Sequence, residues 1–365
     1  MVFESSTVDM TLIAFSLLIG LVFGSFFGCC IYRLPREISL LKPVSSFCPV
    51  CQKPIAWRYN IPIFSWLWLR GRCRDCGERI SPQYPLVETI TGVFFALACW
   101  EFGFPLMIPI WVFGSLLILT TFIDIEFLLI PDILSKPGIV VGIVASLLFP
   151  ELQGTSSRWV AGGLSIAGAL IGGGLLFLIS ELGKLAFGRY KVILSTPTRF
   201  SFQASLPDDA CIVIDDEPFR WDDHFFRKKD RIRIHAEEVT INGETFPRID
   251  LTFYYDRLET VRGTIPLTDL RSLVGWTAYA EFPREAMGLG DIKLIAAIGA
   301  FTGWAGVLFT IPAASLVGAI YGVGTILIGR REWSSKIPFG PYLAIAAIFW
   351  IFCGQEFLVW YRAFG

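Results

Sequence analysis

MTLIAFSLLIGLVFGSFFGCCI, residues 10–31, carries no charged residue and stops just before Arg33, Pro35 and Arg36. A helix rises about 1.5 Å per residue, so roughly 20 apolar residues cross a hydrocarbon layer of about 30 Å. The stretch therefore predicts a membrane-spanning helix. No basic segment precedes it and no small-residue cleavage site follows, so it reads as a retained first span with an outside N-terminus, not a removed signal peptide. Composition extends the reading to the whole chain of 365 residues, of which 54% are hydrophobic and 17% charged; soluble domains carry about 25% charged residues. Further apolar segments fall at 86–104, 105–122, 133–149, 159–182, 291–301, 307–328 and 342–360. The expected fold is an all-α polytopic membrane protein with about eight transmembrane helices, the sixth being short and starting in a glycine-rich turn.

Placement of positive charge orients these spans. The connection 33–84 carries Arg33, Arg36, Lys42, Lys53, Arg58, Arg70, Arg72, Arg74 and Arg79, and the one after the seventh span carries Arg330, Arg331 and Lys336. Both are expected on the cytoplasmic side, with Arg158 and Arg362 as the exceptions opposite. Asp124, Asp132 and Asp291 then lie at the cytoplasmic boundary. Residues 184–286 change to soluble character with β-type alternation, and strands are expected at 191–194, 211–214, 231–235, 239–241, 245–246 and 251–255. Asn242-Gly243 is a hairpin turn signal. The layout is thus a first span at 1–32, a cytoplasmic cysteine loop at 33–84, spans two to five at 85–183, a β-rich cytoplasmic insertion at 184–286 and the last three spans at 287–365. A formal net charge of -1 gives no reason to expect a nucleic-acid partner; the lipid bilayer is the expected surrounding.

Chemistry is confined by what the spans contain. Both histidines, His224 and His235, lie in the polar insertion, so intramembrane catalysis cannot rest on imidazole. Thiols and carboxylates remain. Cys48-Pro49-Val50-Cys51 and Cys73-Arg74-Asp75-Cys76 are two Cys-x-x-Cys pairs in a basic loop. Four thiolates so arranged close a tetrahedron around Zn²⁺, and a bound ion explains how a short loop without a large core stays ordered. A redox or purely structural thiol set is the alternative. Cys29, Cys30, Cys99 and Cys353 fall in apolar spans and read as small core residues.

Asp124 and Asp291 are carboxylates at equal depth near span ends. Either alone reads as a helix cap or interfacial group. Together they can share one proton, one carboxylate drawing a proton from water while its protonated partner polarises a scissile carbonyl. Gly288 and Gly290 let the backbone before Asp291 approach a neighbour closely. Lys293 either tunes the pair or snorkels at the interface. Asp132 after Ile130-Pro131 competes with Asp124, although a cap at the start of the fourth span is the simpler role; Glu88 is open between a helix-start role and a functional one.

Gly24-Ser25-Phe26 with Ile31-Tyr32-Arg33-Leu34-Pro35, the Cys pairs around Asn60-Ile61-Pro62 and Ser65-Trp66-Leu67, Tyr84-Pro85-Leu86-Val87-Glu88, Asp124 with Ile130-Pro131-Asp132, Glu285-Ala286-Met287-Gly288-Leu289-Gly290-Asp291-Ile292-Lys293-Leu294, and Pro338-Phe339-Gly340-Pro341-Tyr342 together resemble the bacterial type IV prepilin peptidase family. The resemblance covers nearly all of the chain outside 184–285. It implies a bifunctional inner-membrane enzyme of the GxGD aspartic protease class, with Asp124 and Asp291 as the catalytic pair facing the cytoplasm. Its substrates would be type IV prepilins and type II secretion pseudopilins, cut after a glycine between a basic leader and an apolar helix. The resemblance also implies N-methylation of the new terminus from S-adenosylmethionine, associated with the cysteine loop. Gly28-Cys29-Cys30 departs from the family, which commonly has Asn there. The insertion departs too, and is open to gating, pilin binding or docking of pilus or secretion assembly proteins. A peptidase without methyltransferase activity, a cation-binding transporter and an inactive zinc-loop adaptor are the rival readings.

Overall fold

A computed structural model describes residues 9–42, 45–187, 189–203, 210–221, 225, 230–283, 287–328 and 337–364. His224, Glu285, Ala286, Arg330, Arg331, Lys336 and the side chain of Arg362 lie outside the described residues. The chain forms two compact units, Met1–Leu176 with Gly288–Gly365, and Phe177–Met287.

The first unit is helical. Its elements are α1 Met10–Arg33, α2 Phe64–Trp68, α3 Gln83–Phe102, α4 Met107–Phe127, α5 Asp132–Leu148, the start of α6 Arg158–Phe187, α7 Leu289–Leu327 and α8 Gly340–Phe364. Among the described residues, five helical stretches are long and apolar enough to cross a membrane: Met10–Arg36, Gln83–Phe102, Met107–Phe127, Arg158–Lys184 and Leu289–Leu327. Helix α5, at 17 residues, is shorter, and α8 contributes the apolar stretch Gly340–Gly354. Small residues set the packing distances. A Cβ on Gly24 would lie 2.6 Å from the Glu88 Cα, which brings α1 against the backbone of α3. A Cβ on Gly168 would lie 2.2 Å from the Gly299 carbonyl oxygen, and α6 and α7 meet backbone to backbone there.

The segments expected as sixth and seventh spans are the two arms of α7. They part at Gly303, whose φ of 69° and ψ of -176° lie in a region only glycine enters freely. The break leaves carbonyls of the first arm without helical partners, and polar side chains supply them. Gln153 Nε2 donates to the oxygens of Ala300 and Phe301 (both 3.2 Å), and the Ser146 and Ser165 hydroxyls donate to Ala300 at 3.1 and 2.6 Å.

The second unit is an eight-stranded antiparallel sheet in the order β3-β2-β1-β8-β4-β5-β6-β7. The strands are β1 Arg189–Gln203, β2 Cys211–Ile214, β3 Glu217–Arg220, β4 Ile232–Ile241, β5 Glu244–Phe253, β6 Arg257–Thr260, β7 Gly263–Pro266 and β8 Leu273–Pro283. One face carries a core that includes Phe200, Ile212, Trp221, Ile234, Leu251, Phe253 and Phe282. Asn242-Gly243 turns β4 into β5 with positive φ at both residues. The expected strands at 231–235 and 239–241 are one strand, interrupted by a bulge at Ala236–Glu238 where two register shifts against β8 occur. The β8 strand itself, paired with both β1 and β4, has no counterpart in the expectation. Its Gly275 and alanines weaken the strand pattern; a Cβ on Gly275 would lie 2.6 Å from the Glu238 oxygen and 2.7 Å from the Phe200 ring.

Candidate active site and metal centre

Asp124 lies in the last turn of α4 and is 5% exposed. The helix stops four residues later because Leu128 turns left-handed (φ 53°), its N–H closing on the Asp124 carbonyl at 2.9 Å. The Asp124 side chain then accepts the backbone N–H of Gly340 at 2.9 Å. Gly340 opens α8, and a Cβ there would come within 2.8 Å of Asp124 Oδ2. Glycine is required by contact rather than by conformation.

Asp291 is the third residue of α7, after Gly288 at the N-cap. Its carboxylate lies against the N-cap glycine, where a Cβ on Gly288 would come 3.4 Å from Asp291 Oδ2. The two carboxyl groups are near enough for the charge on Asp124 to act on Asp291. Ile130 fills the space between their supports: a Cβ on Gly290 would lie 2.9 Å from the Ile130 Cβ, and one on Gly340 3.3 Å from its Cδ1. The end of α4, the Ile130-Pro131 connection and the starts of α7 and α8 thus converge on two acids.

Asp132 and Lys293 go elsewhere. Asp132 is the first residue of α5, and the structure records no side-chain cap for that helix. The cap expected of Asp132 is replaced by ion pairs, because Lys136 Nζ lies 2.6 Å from one carboxylate oxygen and Lys293 Nζ donates to the other. Lys293 Nζ is thus engaged with Asp132. It ties the second turn of α7 to the first turn of α5.

The four cysteine sulfurs lie within 4.8 Å of one another. Cys48 and Cys76 Sγ are 3.8 Å apart, close to the edge of a tetrahedron with Zn–S bonds of about 2.3 Å. Two knuckles with the same wiring present them. Cys48 N–H donates to Lys53 O (3.0 Å) and Gln52 N–H to Cys48 O (2.8 Å); Cys73 N–H donates to Glu78 O (2.7 Å) and Gly77 N–H to Cys73 O (2.9 Å). Gln52 and Gly77, each following the second cysteine of its pair, both have positive φ. The Cys76 backbone N–H, helped by that of Asp75, draws the Cys73 thiol down to about 7. Cys76, against the pull of the Glu78 N–H, is pushed up to about 12 by the sulfurs around it, a repulsion that a divalent cation relieves.

A cavity of about 670 Å³ separates this lobe from α1 and α3, with Tyr32, Arg36, Arg58, Tyr59, Glu88 and Glu126 in its wall. Buried Glu88, left open by the sequence, accepts the Ile63 N–H at 2.6 Å and meets the Ser25 hydroxyl. Ile63, the N-cap of α2, has φ 61° and ψ -53°, a costly conformation for a β-branched residue. Glu88 thus pins a strained part of the lobe to α3. Arg36 bridges to Glu126 at 3.0 Å, two residues beyond Asp124. Sequence reasoning assigned no role to Gly340, Ile130 or this bridge. The readable signals were Ile130 before Pro131 and Gly340 between Phe339 and Pro341.

Residues 18–102 match the family described as Bacterial Peptidase A24 N-terminal domain, and residues 270–323 match the Type IV leader peptidase family. A protein of Klebsiella pneumoniae named prepilin leader peptidase/N-methyltransferase is 37% identical over 206 residues, 52% of this chain and 86% of its own. Proteins of the same name from Aeromonas hydrophila (29% identical, 94% of this chain and 91% of that one) and Pseudomonas aeruginosa (26%, 96% and 93%) align over nearly the whole length. No solved structure matches the chain. The chain is a multi-pass membrane protein with a four-cysteine cluster, and it belongs to the type IV leader peptidase family of bacterial prepilin leader peptidase/N-methyltransferases.

Proposed function

We propose that this enzyme cleaves prepilins and type II secretion pseudopilins after a glycine with Asp124 and Asp291 as its catalytic pair, and N-methylates the new terminus. The observation that carries the reading is the convergence of the two carboxyls at three helix ends, Asp124 holding the backbone N–H of Gly340 and Asp291 lying against the Gly288 backbone. Fixed in this way, one carboxylate accepts a proton from water as the water attacks the scissile carbonyl. The protonated partner hydrogen-bonds the carbonyl oxygen and later gives its proton to the leaving amine. Buried surroundings favour a single shared proton over two charges. Gly288 leaves room for an extended peptide backbone beside Asp291, while Gly290 lets the start of α7 close on Ile130.

Cys48, Cys51, Cys73 and Cys76 fit Zn²⁺ by donor type and spacing; the ion would lock the two knuckles together and hold the cavity wall in place. S-adenosylmethionine is the methyl donor we assign, and the cavity beside the lobe suits it. Its volume of about 670 Å³ and its mix of carboxylates, guanidinium groups and tyrosine rings match a zwitterionic nucleoside with a cationic sulfur. Bound there, the donor supplies the methyl group. Its wall at Glu126 lies within one helical turn of Asp124, so a newly cut N-terminus has a short path to it.

For topology we keep eight crossings, counting the arms of α7 separately, with both termini outside and the acids at the cytoplasmic face of the inner membrane. The catalytic core then comprises 1–183 and 287–365, with the zinc loop at 33–84 and an accessory domain at 184–286. Purified enzyme incubated with a synthetic prepilin, followed by mass spectrometry with and without S-adenosylmethionine, tests the reading. Leader loss and a donor-dependent methyl increment on the new N-terminus are expected. Intact prepilin after incubation rejects the peptidase; leader loss without methylation rejects the transferase half.

A further inference from the structure

The β-rich unit has a core on one face of its sheet, and the opposite face is not uniform. At one end it is strongly basic. In register across β1, β8 and β4, Lys191 stands beside Glu281 and Glu281 beside Arg233. Nearer the sheet end, Arg189 lies opposite Pro283, and Arg231 leads into β4. Arg189, Arg231 and Arg233 line a small cavity of about 140 Å³ together with Asp230 and Glu281. Arg189 Nη1 is 3.4 Å from Glu281 Oε2. The Tyr279 hydroxyl, which donates to Glu281 at 2.6 Å, holds that carboxyl below the usual glutamate range, and the charges of Arg189, Lys191 and Arg233 add to the effect. Glu281 is thus a fixed anion, yet Arg189, Lys191, Arg231 and Arg233 outnumber it and Asp230. Farther along the strands, Ile193, 74% exposed, stands opposite Tyr279 in β8.

Connectivity says what this end meets. One residue separates Phe187, the end of α6, from Arg189, and the apolar stretch of α6 ends at Lys184. Three helical and two extended steps keep Arg189 within about 12 Å of Lys184. The strand that leads back toward α7 ends at Pro283, opposite Arg189. Connectivity therefore keeps Arg189, and with it the strand ends beside it, within reach of lipid headgroups, where electrostatic attraction acts over about 8 Å at physiological salt. Cations beside a membrane exit, with an isoleucine and a tyrosine on the same side, have the composition of a surface that meets anionic lipid.

We propose that Arg189, Lys191, Arg231 and Arg233 form a site for the phosphate of anionic phospholipid headgroups, which fixes the β-rich unit against the leaflet that α6 leaves. The site is separate from the two aspartates and from the cysteine cluster and does not depend on their assignment.

Lys191 is exposed and serves as the reporter. The full-length protein is placed in nanodiscs of phosphatidylcholine alone or with phosphatidylglycerol, acylated briefly with an N-hydroxysuccinimide ester, and Lys191 modification is read by peptide mass spectrometry with the exposed Lys53 of the cysteine loop as reference. At least about fivefold slower labelling of Lys191 is expected in the anionic discs, reversed by high salt. Inorganic phosphate added to phosphatidylcholine discs should give no protection; protection equal to that by phosphatidylglycerol would make this a soluble-phosphate site and overturn the lipid assignment. Equal labelling in the two lipids overturns the proposal outright. Arg189→Gln with Arg233→Gln should remove the protection, and Arg231→Gln, which lies before the strand and leaves the ladder intact, should reduce it. Protection undiminished in these variants shows that the lipid acts elsewhere and rejects the site.

Discussion

Asp132 and Lys293 lie close in sequence to Asp124 and Asp291, yet they hold each other and Lys136, while the buried Asp124 is held by the N–H of Gly340. On the proposed assignment, that difference leaves Asp124 and not Asp132 available for proton transfer. Asp124→Asn and Asp291→Asn should each lower leader cleavage by at least about 1000-fold, since an amide is neither a base nor a shared acid, with zinc content unchanged. Asp132, with its side chain 47% exposed, should tolerate Asn with cleavage within about twofold and a stability loss of at most about 1 kcal/mol, the range of exposed ion pairs. Rates from a quenched prepilin peptide, with thermal unfolding alongside, check all three variants; a dead Asp132→Asn with active Asp124→Asn would reverse the pair. Gly340→Ala is the sharper probe of positioning. Its Cβ would meet Asp124 Oδ2 at 2.8 Å, so cleavage should fall at least about tenfold in a protein that still folds and binds zinc.

Among the elements, the two cysteine knuckles were legible in the sequence because a fixed spacing repeats: Cys-x-x-Cys, then a residue of positive φ, in both. Cys48→Ser or Cys76→Ser should release the metal and loosen the lobe, whereas Cys29→Ser, in α1, should keep it; inductively coupled plasma mass spectrometry of the purified variants decides, and full metal retention by Cys76→Ser would count against a four-thiolate site. Helices of unbroken apolar character were legible within a few residues. The break at Gly303 was legible only as a gap between two apolar runs, because what stabilises it is distant in sequence: Gln153, Ser146 and Ser165 reach the carbonyls of Ala300 and Phe301. The β8 strand was not legible, since three of its inward positions are held by the small residues Gly275, Thr277 and Ala280, Gly275 because Glu238 and Phe200 approach it closely. Gly303→Ala forces a side chain into a glycine-only backbone region and within 2.6 Å of Gln153 Oε1. It should cost about 1–3 kcal/mol, read as a lower unfolding temperature in detergent; an unchanged temperature would mean that the break is not held as rigidly as its hydrogen bonds imply.

For the whole molecule, chain connectivity makes the β-rich unit removable. Its first strand begins at Arg189 and its last ends at Pro283, and these two residues are register partners, so their Cα atoms are about 5 Å apart as in any antiparallel pair. The unit also has its own core, with Ile212, Ile234, Leu251, Phe253 and Phe282 fully or nearly fully buried. Replacing residues 189–283 by a linker of about four to six flexible residues therefore closes a gap the chain already brings together, at a small closure cost. Neither aspartate, no cysteine of the cluster and none of Gly288, Gly290 or Gly340 is removed. Cleavage of a short synthetic leader peptide should stay within about threefold of the intact enzyme, because the acids are positioned by α4, α7, α8 and the Ile130-Pro131 connection. Metal content should be unchanged. A deletion variant that folds and keeps its metal yet fails to cut the peptide would show that the sheet helps to build the active site, and the division into catalytic core and accessory domain would have to be abandoned.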